Sequence, residues 1–241
     1  MSMRQCAALT TDVDLSTLAG PAGFTIGGGA SGDNSGYSVS VAGDFNGDGI
    51  DDVIVGAQRA DPVVGGATRN NAGISYVIFG RSKADNPAAY YANIDLLPLK
   101  MAGSPLGFAI LGATASDQSG VLVSAAGDVN GDSIGDVIVG AYLADPGSPA
   151  RSSAGISYVI FGRSKADNPV ASYANIDLLP LNAAGSALGF AILGAKAGDQ
   201  SGFSVSSASD VNGDGIGDVI VGAFRSNAVV GGTTRSSAGM S

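Results

Sequence analysis

The chain has 241 residues and a formal net charge of −9, and all 21 of its acidic residues are Asp; Glu, His and Trp are absent and Cys6 is the single cysteine. Without His there is no Ser-His-Asp or Cys-His nucleophile and no His-ligated zinc site, and one Cys builds neither an internal disulfide nor a thiolate cluster. The acidic balance disfavours DNA, RNA and anionic membrane surfaces, whose phosphates are met by Lys and Arg, and no apolar run approaches the roughly 20 residues of a membrane-spanning helix.

Hydrophobic residues make up 45% of the chain and charged residues only 14%, a balance that favours a packed core over disorder. Gly (38 residues), Val, Ile and Ser abound while Glu is missing, so the expected class is all-β without long surface helices. The first ten residues read as a tail. No long apolar core precedes the acids at Asp12 and Asp14, so the start does not have the form of a signal peptide, and Cys6 is incidental.

From about residue 11 onward one unit occurs three times. GISYVIFGRSKADNP stands at 73–87 and again, unchanged, at 155–169, and YANIDLLPL stands at 91–99 and 173–181. Phe24, Phe108 and Phe190 step by 84 and 82 residues, as do the acidic loops beginning at Asp44, Asp128 and Asp210. The repeats are expected at 11–92, 93–174 and 175–241. Each holds four short apolar runs, in the second unit Gly107–Leu111, Val121–Ala126, Asp136–Ala141 and Ile156–Phe161. Four to six residues long, β-branched or aromatic, and bounded by Gly, Ser, Asp and Pro, they read as strands. The second run alternates, as for one buried face; the third and fourth are continuously apolar, as for two. Pro62, Pro87, Pro146 and Pro169 fall between runs, where they cost no ladder bonds. Asn93–Leu99 and Asn175–Leu181 read as turns or edge pieces. Four strands at a fixed long period predict antiparallel four-stranded β-propeller blades, since the competing stacked β-helix has much shorter repeats.

The three acidic loops follow D-x-N-x-D-[GS]-I-x-D: Asp44, Asn46, Asp48, Ile50 and Asp52; Asp128, Asn130, Asp132, Ile134 and Asp136; Asp210, Asn212, Asp214, Ile216 and Asp218. Side-chain oxygens at positions 1, 3, 5 and 9 with the carbonyl at position 7 make an oxygen-only shell that suits Ca²⁺, one ion per repeat, better than the stricter octahedron of Mg²⁺. The same residue types form simple turns, but three copies in one register favour ligation, and clustered carboxylates repel one another unless a cation lies among them. An EF-hand is excluded: position 12 is Val55, Val139 or Val221, and there is no Glu. Position 6 is Gly49, Ser133 or Gly215. If it needs a positive φ, the second site is the weakest. Three divalent ions would take the formal charge from −9 to −3.

Several other residues read more simply. Asp33, Asp117 and Asp199 sit in Asp-x-Ser-Gly turns, and Phe24, Phe108 and Phe190 are expected to pack between blades. Arg81, Lys83, Arg163 and Lys165 read as a solvated turn beside an acidic loop, and Tyr90, Tyr91 and Tyr173 as packing or interface aromatics. Asp is the one candidate for acid–base chemistry, and most repeated Asp residues already have loop or turn roles, so the chain is expected not to be an enzyme.

Together these features resemble FG-GAP repeats, the blade units of the integrin α-subunit N-terminal propeller and of large bacterial surface proteins. The resemblance rests on Gly23-Phe24, Gly107-Phe108 and Gly189-Phe190, on SGYSVSVAGDFNGDGIDDVIVGA at 35–57 and its equivalents, and on the GISYVIFG strand. The family's Gly-Ala-Pro element becomes Gly56-Ala57-Gln58, Gly140-Ala141-Tyr142 and Gly222-Ala223-Phe224. The resemblance implies structural Ca²⁺ on one propeller face, an extracellular or cell-surface setting, and a protein or extracellular-matrix ligand on another surface. The alternative is a non-catalytic propeller of a larger secreted enzyme, such as a phospholipase or other hydrolase. Ser236–Ser241 aligns with Ser152–Ser157, so the third repeat is expected to lack its last strand. Three blades are fewer than the 4–8 that close a propeller, so the chain reads as a fragment, one part of an oligomeric ring or an open array with exposed strand edges, through which self-association is expected.

Overall fold

The computed structural model describes residues 23–82, 92–164, 173–230 and 233–241 together with Leu15 and Leu18, and only the backbone of Val229 and Val230. The tail, Cys6, Lys83, Pro87, Tyr90, Tyr91, Lys165 and Pro169 lie outside these residues.

Strands form at the apolar runs. The first repeat supplies β1 (Ile26–Gly27), β2 (Ser35–Gly43), β3 (Asp52–Ala57), the hairpin β4 (Val63–Val64) and β5 (Ala67–Thr68), and β6 (Ile74–Ile78). The second supplies β7 (Ile94–Asp95), β8 (Gly107–Leu111), β9 (Val123–Gly127), β10 (Asp136–Ala141) and β11 (Ile156–Ile160). The third supplies β12 (Ile176–Asp177), β13 (Gly189–Leu193), β14 (Ser201–Ser209), β15 (Asp218–Ala223) and the hairpin β16 (Ala228–Val230) and β17 (Thr233–Arg235). The edge segments resolve into two parts: β7 and β12 each lead into a short 3₁₀ turn, Leu97–Lys100 or Leu179–Asn182, opened by a Pro that needs no hydrogen-bond donor there.

The sheets are offset from the sequence repeats. One has the order β12-β8-β6-β3-β2, the next β13-β11-β10-β9, and the third contains β14 and β15. The Gly-Phe strand that opens each repeat in sequence is therefore the outer strand of the preceding blade: β8 pairs antiparallel with β6 from Ile74↔Leu111 to Ile78↔Gly107, and β13 pairs with β11 in the same way. Beyond it, β12 adds in parallel along Ile110 and Leu111, as β7 does on β1. Three sequence repeats thus cross-stitch their neighbours. The Arg69 guanidinium grips both carboxylate oxygens of Asp177, at 2.6 and 2.9 Å, and donates to the Gly112 carbonyl.

The core lies between sheets. Ala42, Ile54, Val77, Phe108 and Ile110 of the first blade pack on Val123, Val137, Val139, Tyr158 and Ile160 of the second, with Leu178 and Leu181 joining them. Ala126, Ile138 and Val159 meet Val205, Val219 and Val221 of the third blade in a smaller cluster. The alternation of the second run has a neighbour-dependent outcome. Val39 is 63% exposed, whereas Val123 and Val205, its counterparts, are 3% exposed. Among the described residues a blade lies against the latter two and none lies against the former. The third and fourth runs are covered on both faces in the first two blades, as their continuous apolarity requires.

Between blades, backbone approaches backbone. A Cβ on Gly56 would fall on the Gly120 carbonyl oxygen, and one on Gly140 on that of Gly202. A ladder of main-chain bonds runs beside each contact: the amides of Ser116, Gln118 and Ser119 donate to the carbonyls of Asn70, Asn71 and Ala72, at 2.9 to 3.2 Å. The amides of Gly198, Gln200 and Ser201 repeat the pattern on Ser152, Ser153 and Ala154. At the third equivalent, Gly222, the nearest neighbour is the Ser204 Cβ at 3.3 Å. Replacing Gly140 by Ala is therefore expected to cost roughly 3 kcal/mol or more, because the overlapped atoms are backbone, while Gly222→Ala stays within about 1 kcal/mol. Equal costs in denaturant titrations would contradict the seam as described.

Candidate metal loops on one face of the stacked sheets

Each aspartate loop joins the second and third runs of a unit: 44–52 between β2 and β3, 128–136 between β9 and β10, and 210–218 between β14 and β15. The first Asp folds the turn by accepting backbone hydrogen bonds. Asp44 Oδ1 and Oδ2 accept from the amides of Asp48 and Gly49, at 2.9 and 2.8 Å. Asp128 accepts from Gly131, Asp132 and Ser133, and Asp210 from Gly213, Asp214 and Gly215. These donors hold the Asp210 carboxyl below its ordinary pKa, the Gly215 amide contributing most. The fifth residue accepts from the seventh: Asp48 from the Ile50 amide, Asp132 from Ile134 and Asp214 from Ile216. Asn130 and Asn212 also cap their own turns through the amides of Asp132 and Asp214.

Position 9 differs because it is the first residue of a buried strand. Asp52 and Asp136 are fully buried. Asp52 accepts from the Phe45 amide of its own loop and from the Gly80 amide beyond β6; Asp136 accepts from Val129 and from Gly162 beyond β11. Each carboxylate therefore ties its loop to the neighbouring strand. Burial pushes Asp52 up to about 7 and Asp136 up to about 6; the two backbone donors oppose the rise, while Asp48 and Asp44, or Asp132 and Asp128, add to it. Asp218 accepts from Val211 and from the Asn212 side chain in a more open setting.

The loops also touch one another. The Gly135 amide donates to the Asp44 carbonyl at 3.1 Å, and the Gly217 amide to the Asp128 carbonyl at 2.7 Å. A Cβ at Gly135 or Gly217 would crowd the preceding loop's backbone, whereas their counterpart Asp51 is exposed. This loop-to-loop seam went unrecognised in the sequence, although I-D-D at 50–52 against I-G-D at 134–136 and 216–218 was its signal.

The oxygen donors fit a hard cation in kind. Their present hydrogen bonds leave capacity, since a carboxylate has about four lone-pair sites. The Asn46 side-chain oxygen is buried without a hydrogen-bond partner, beside an Asn46 amide that reaches Asp52 at 3.5 Å. Among the described residues no three acidic side chains converge on one point as a metal centre. Position 6 is left-handed throughout, with φ of 82° at Gly49, 68° at Ser133 and 85° at Gly215.

Other expected roles divide. Asp33, Asp117 and Asp199 are buried in their turns; Asp117 accepts from the Thr114 amide, and Asp33 meets Lys100 at 2.8 Å. Phe108 is fully buried within a ring cluster of Phe45, Phe79 and Tyr173, while Phe24 and Phe190 are 37% and 41% exposed. Arg163 does not lie in a solvated turn. Its guanidinium rests 5.6 Å from both the Phe108 and Tyr173 ring centres, where burial lowers its pKa. The basic side chain stacks there because the first blade's Phe108 and the Tyr173 of the next segment flank it, a contact between units that no local reading contains.

The FG-GAP repeat family model matches residues 35–78, 120–160 and 201–237. The chain belongs to the FG-GAP repeat family. The three matched FG-GAP segments each span an aspartate loop with its flanking strands, and together with the sheets above they make the protein an integrin-α-like array of partial propeller blades. No curated protein matches the chain. No helix among the described residues is long and apolar enough to cross a membrane.

The left-handed Ser133 carries strain that glycine would not. Ser133→Gly is expected to raise stability by about 0.5 kcal/mol or more, net of the entropy glycine adds to the unfolded chain, while Gly215→Ser lowers it. Thermal melts of the two variants check the opposite signs.

Proposed function

We propose that this chain is a calcium-stabilised, non-catalytic FG-GAP propeller module for adhesion or protein recognition outside the cell. The observation that carries the calcium reading is the unpartnered, buried Asn46 oxygen beside buried Asp52, inside an oxygen-only loop that occurs three times. Asp44, Asn46, Asp48, the Ile50 carbonyl and Asp52 would hold one ion, with Asp128, Asn130, Asp132, Ile134 and Asp136, and Asp210, Asn212, Asp214, Ile216 and Asp218, as the second and third sets. A bound Ca²⁺ supplies positive charge to each carboxylate cluster and no reaction step. The protein's own residues do the bracing: Asp52 and Asp136 link strands within a blade, and the Asp44 and Asp128 carbonyls link one loop to the next.

A structural metal on the loop face leaves the other surfaces free to meet a protein or extracellular-matrix ligand. Extracellular modules of this ligand type bind Ca²⁺ with Kd of about 10⁻⁴–10⁻³ M, a range filled outside cells. At a tenfold excess over Kd each site adds roughly 1.4 kcal/mol, and a chain of this size gains about 2–4 °C per kcal/mol. Ca²⁺ at about 10 mM, tenfold above the weaker end of that range, is therefore expected to raise the melting temperature by at least about 5 °C over excess chelator. The response should vanish in the triple variant Asp48→Ala, Asp132→Ala, Asp214→Ala. An unchanged melting temperature in the parent protein overturns the calcium reading.

A further inference from the structure

The first two blades carry equivalent cavities at the ends of their sheets that lie away from the aspartate loops. β10 starts at Asp136 in its loop and ends at Ala141, and the chain then enters the second cavity at Leu143. Asp145, Pro146, Ile156, Asn182 and Leu193 line that cavity, as Asp61, Pro62, Ile74, Lys100 and Leu111 line the first. Beside each stands a buried Asp of the same repeat position, Asp33 or Asp117, both 6% exposed.

The two cavities differ in charge. In the first blade the Lys100 ammonium donates to Asp33 Oδ2 at 2.8 Å, and the cavity measures about 310 Å³. In the second, Asn182 stands in place of Lys100 and Leu143 in place of Arg59, and the cavity measures about 680 Å³. The acids are kept while both cations are lost. Asp117 accepts from the Thr114 amide at 3.1 Å and Asp145 from the Ser153 amide at 2.6 Å. Among the described residues the ion pairs are Arg69 with Asp177 and Lys100 with Asp33, so neither Asp117 nor Asp145 has one. Burial pushes Asp117 up to about 6, with the Thr114 amide and Arg69 opposing the rise and Asp145 adding to it. At neutral pH it is therefore a buried carboxylate without a paired cation.

The rest of the wall selects the kind of cation. Leu143, Ile156 and Leu193 form an apolar side of the sort along which a lysine buries its carbon stem. A hydrated metal ion gains nothing from such a surface. Asn182 Oδ1 accepts from the Tyr158 hydroxyl at 2.9 Å and has a second lone pair, so with the two carboxylates it matches the three donors of an ammonium group.

We infer that the second-blade cavity binds a primary alkylammonium group, supplied by a free amine or by a lysine side chain of another polypeptide. The ligand takes the part that Lys100 plays in the first blade. The lining lies wholly within residues 114–193, and the site stands whether or not the aspartate loops bind Ca²⁺.

The test follows backbone amide NMR shifts of the full chain at fixed Ca²⁺ while n-butylammonium chloride, the lysine side chain alone, is titrated in. Saturable shifts are expected at residues 114–117 and at Ser152 and Ser153, in the millimolar range usual for so small a ligand. Asp117→Asn should weaken binding at least tenfold. Asn182→Lys, which rebuilds the first-blade pair, should abolish binding and raise the melting temperature. A parallel titration with Nα-acetyl-lysine methylamide separates the sources. Binding as tight as that of butylammonium assigns the site to a lysine side chain, and binding at least tenfold weaker assigns it to a free amine. Shifts that do not saturate, or that sodium chloride reproduces, overturn the inference. So does binding that either substitution leaves unchanged.

Discussion

Everything in this molecule depends on backbone lying directly on backbone where one sheet meets the next. Gly56 under the Gly120 carbonyl and Gly140 under the Gly202 carbonyl leave no room for even a methyl group. At that separation the main-chain groups of the 70–72 and 152–154 loops reach the turns at 116–119 and 198–201, and apolar side chains of adjacent blades share common buried clusters. Such seams explain why glycine is so abundant. Much of it marks contact between units rather than flexibility within them.

The seam also explains where the three near-identical units differ. A residue's environment is set by whether a neighbour covers it, so one sequence position takes different values along the array. Val39 is open where Val123 and Val205 are covered, and Ile220 is open where Ile54 and Ile138 are covered. Asp51 is exposed, where a Cβ at Gly135 or Gly217 would crowd the preceding loop. In a one-dimensional stack of this kind, stability is the sum of the units and their interfaces. The aspartate loops share that logic: each is linked to the next by an amide at position 8 and a carbonyl at position 1.

Much was legible in the sequence because repeats and local chemistry carried it. The strands in the second unit begin and end close to the apolar runs, and the third and fourth runs are buried on both faces as their lack of alternation implies. Position 6 has a positive φ at Gly49 and Gly215, and Ser133 adopts it too. What could not be read was partnership across units. The Gly-Phe strands belong to the preceding sheet because a strand pairs by space and not by position in a repeat. Arg163 stacks on rings contributed by the first blade and by Tyr173, and Asp52 takes an amide from Gly80, 28 residues away. Each is a long-range contact with no local periodicity to announce it.

Native-state hydrogen exchange tests the seam most directly. The amides of Gln118 and Ser119, and those of Gln200 and Ser201, bond across blades. The account predicts that they open with free energies close to those of the central β3 and β10 amides, within about a tenfold difference in protection. Seam amides that exchange orders of magnitude faster while the strand interiors stay protected would contradict it, because the blades would then be independent sheets.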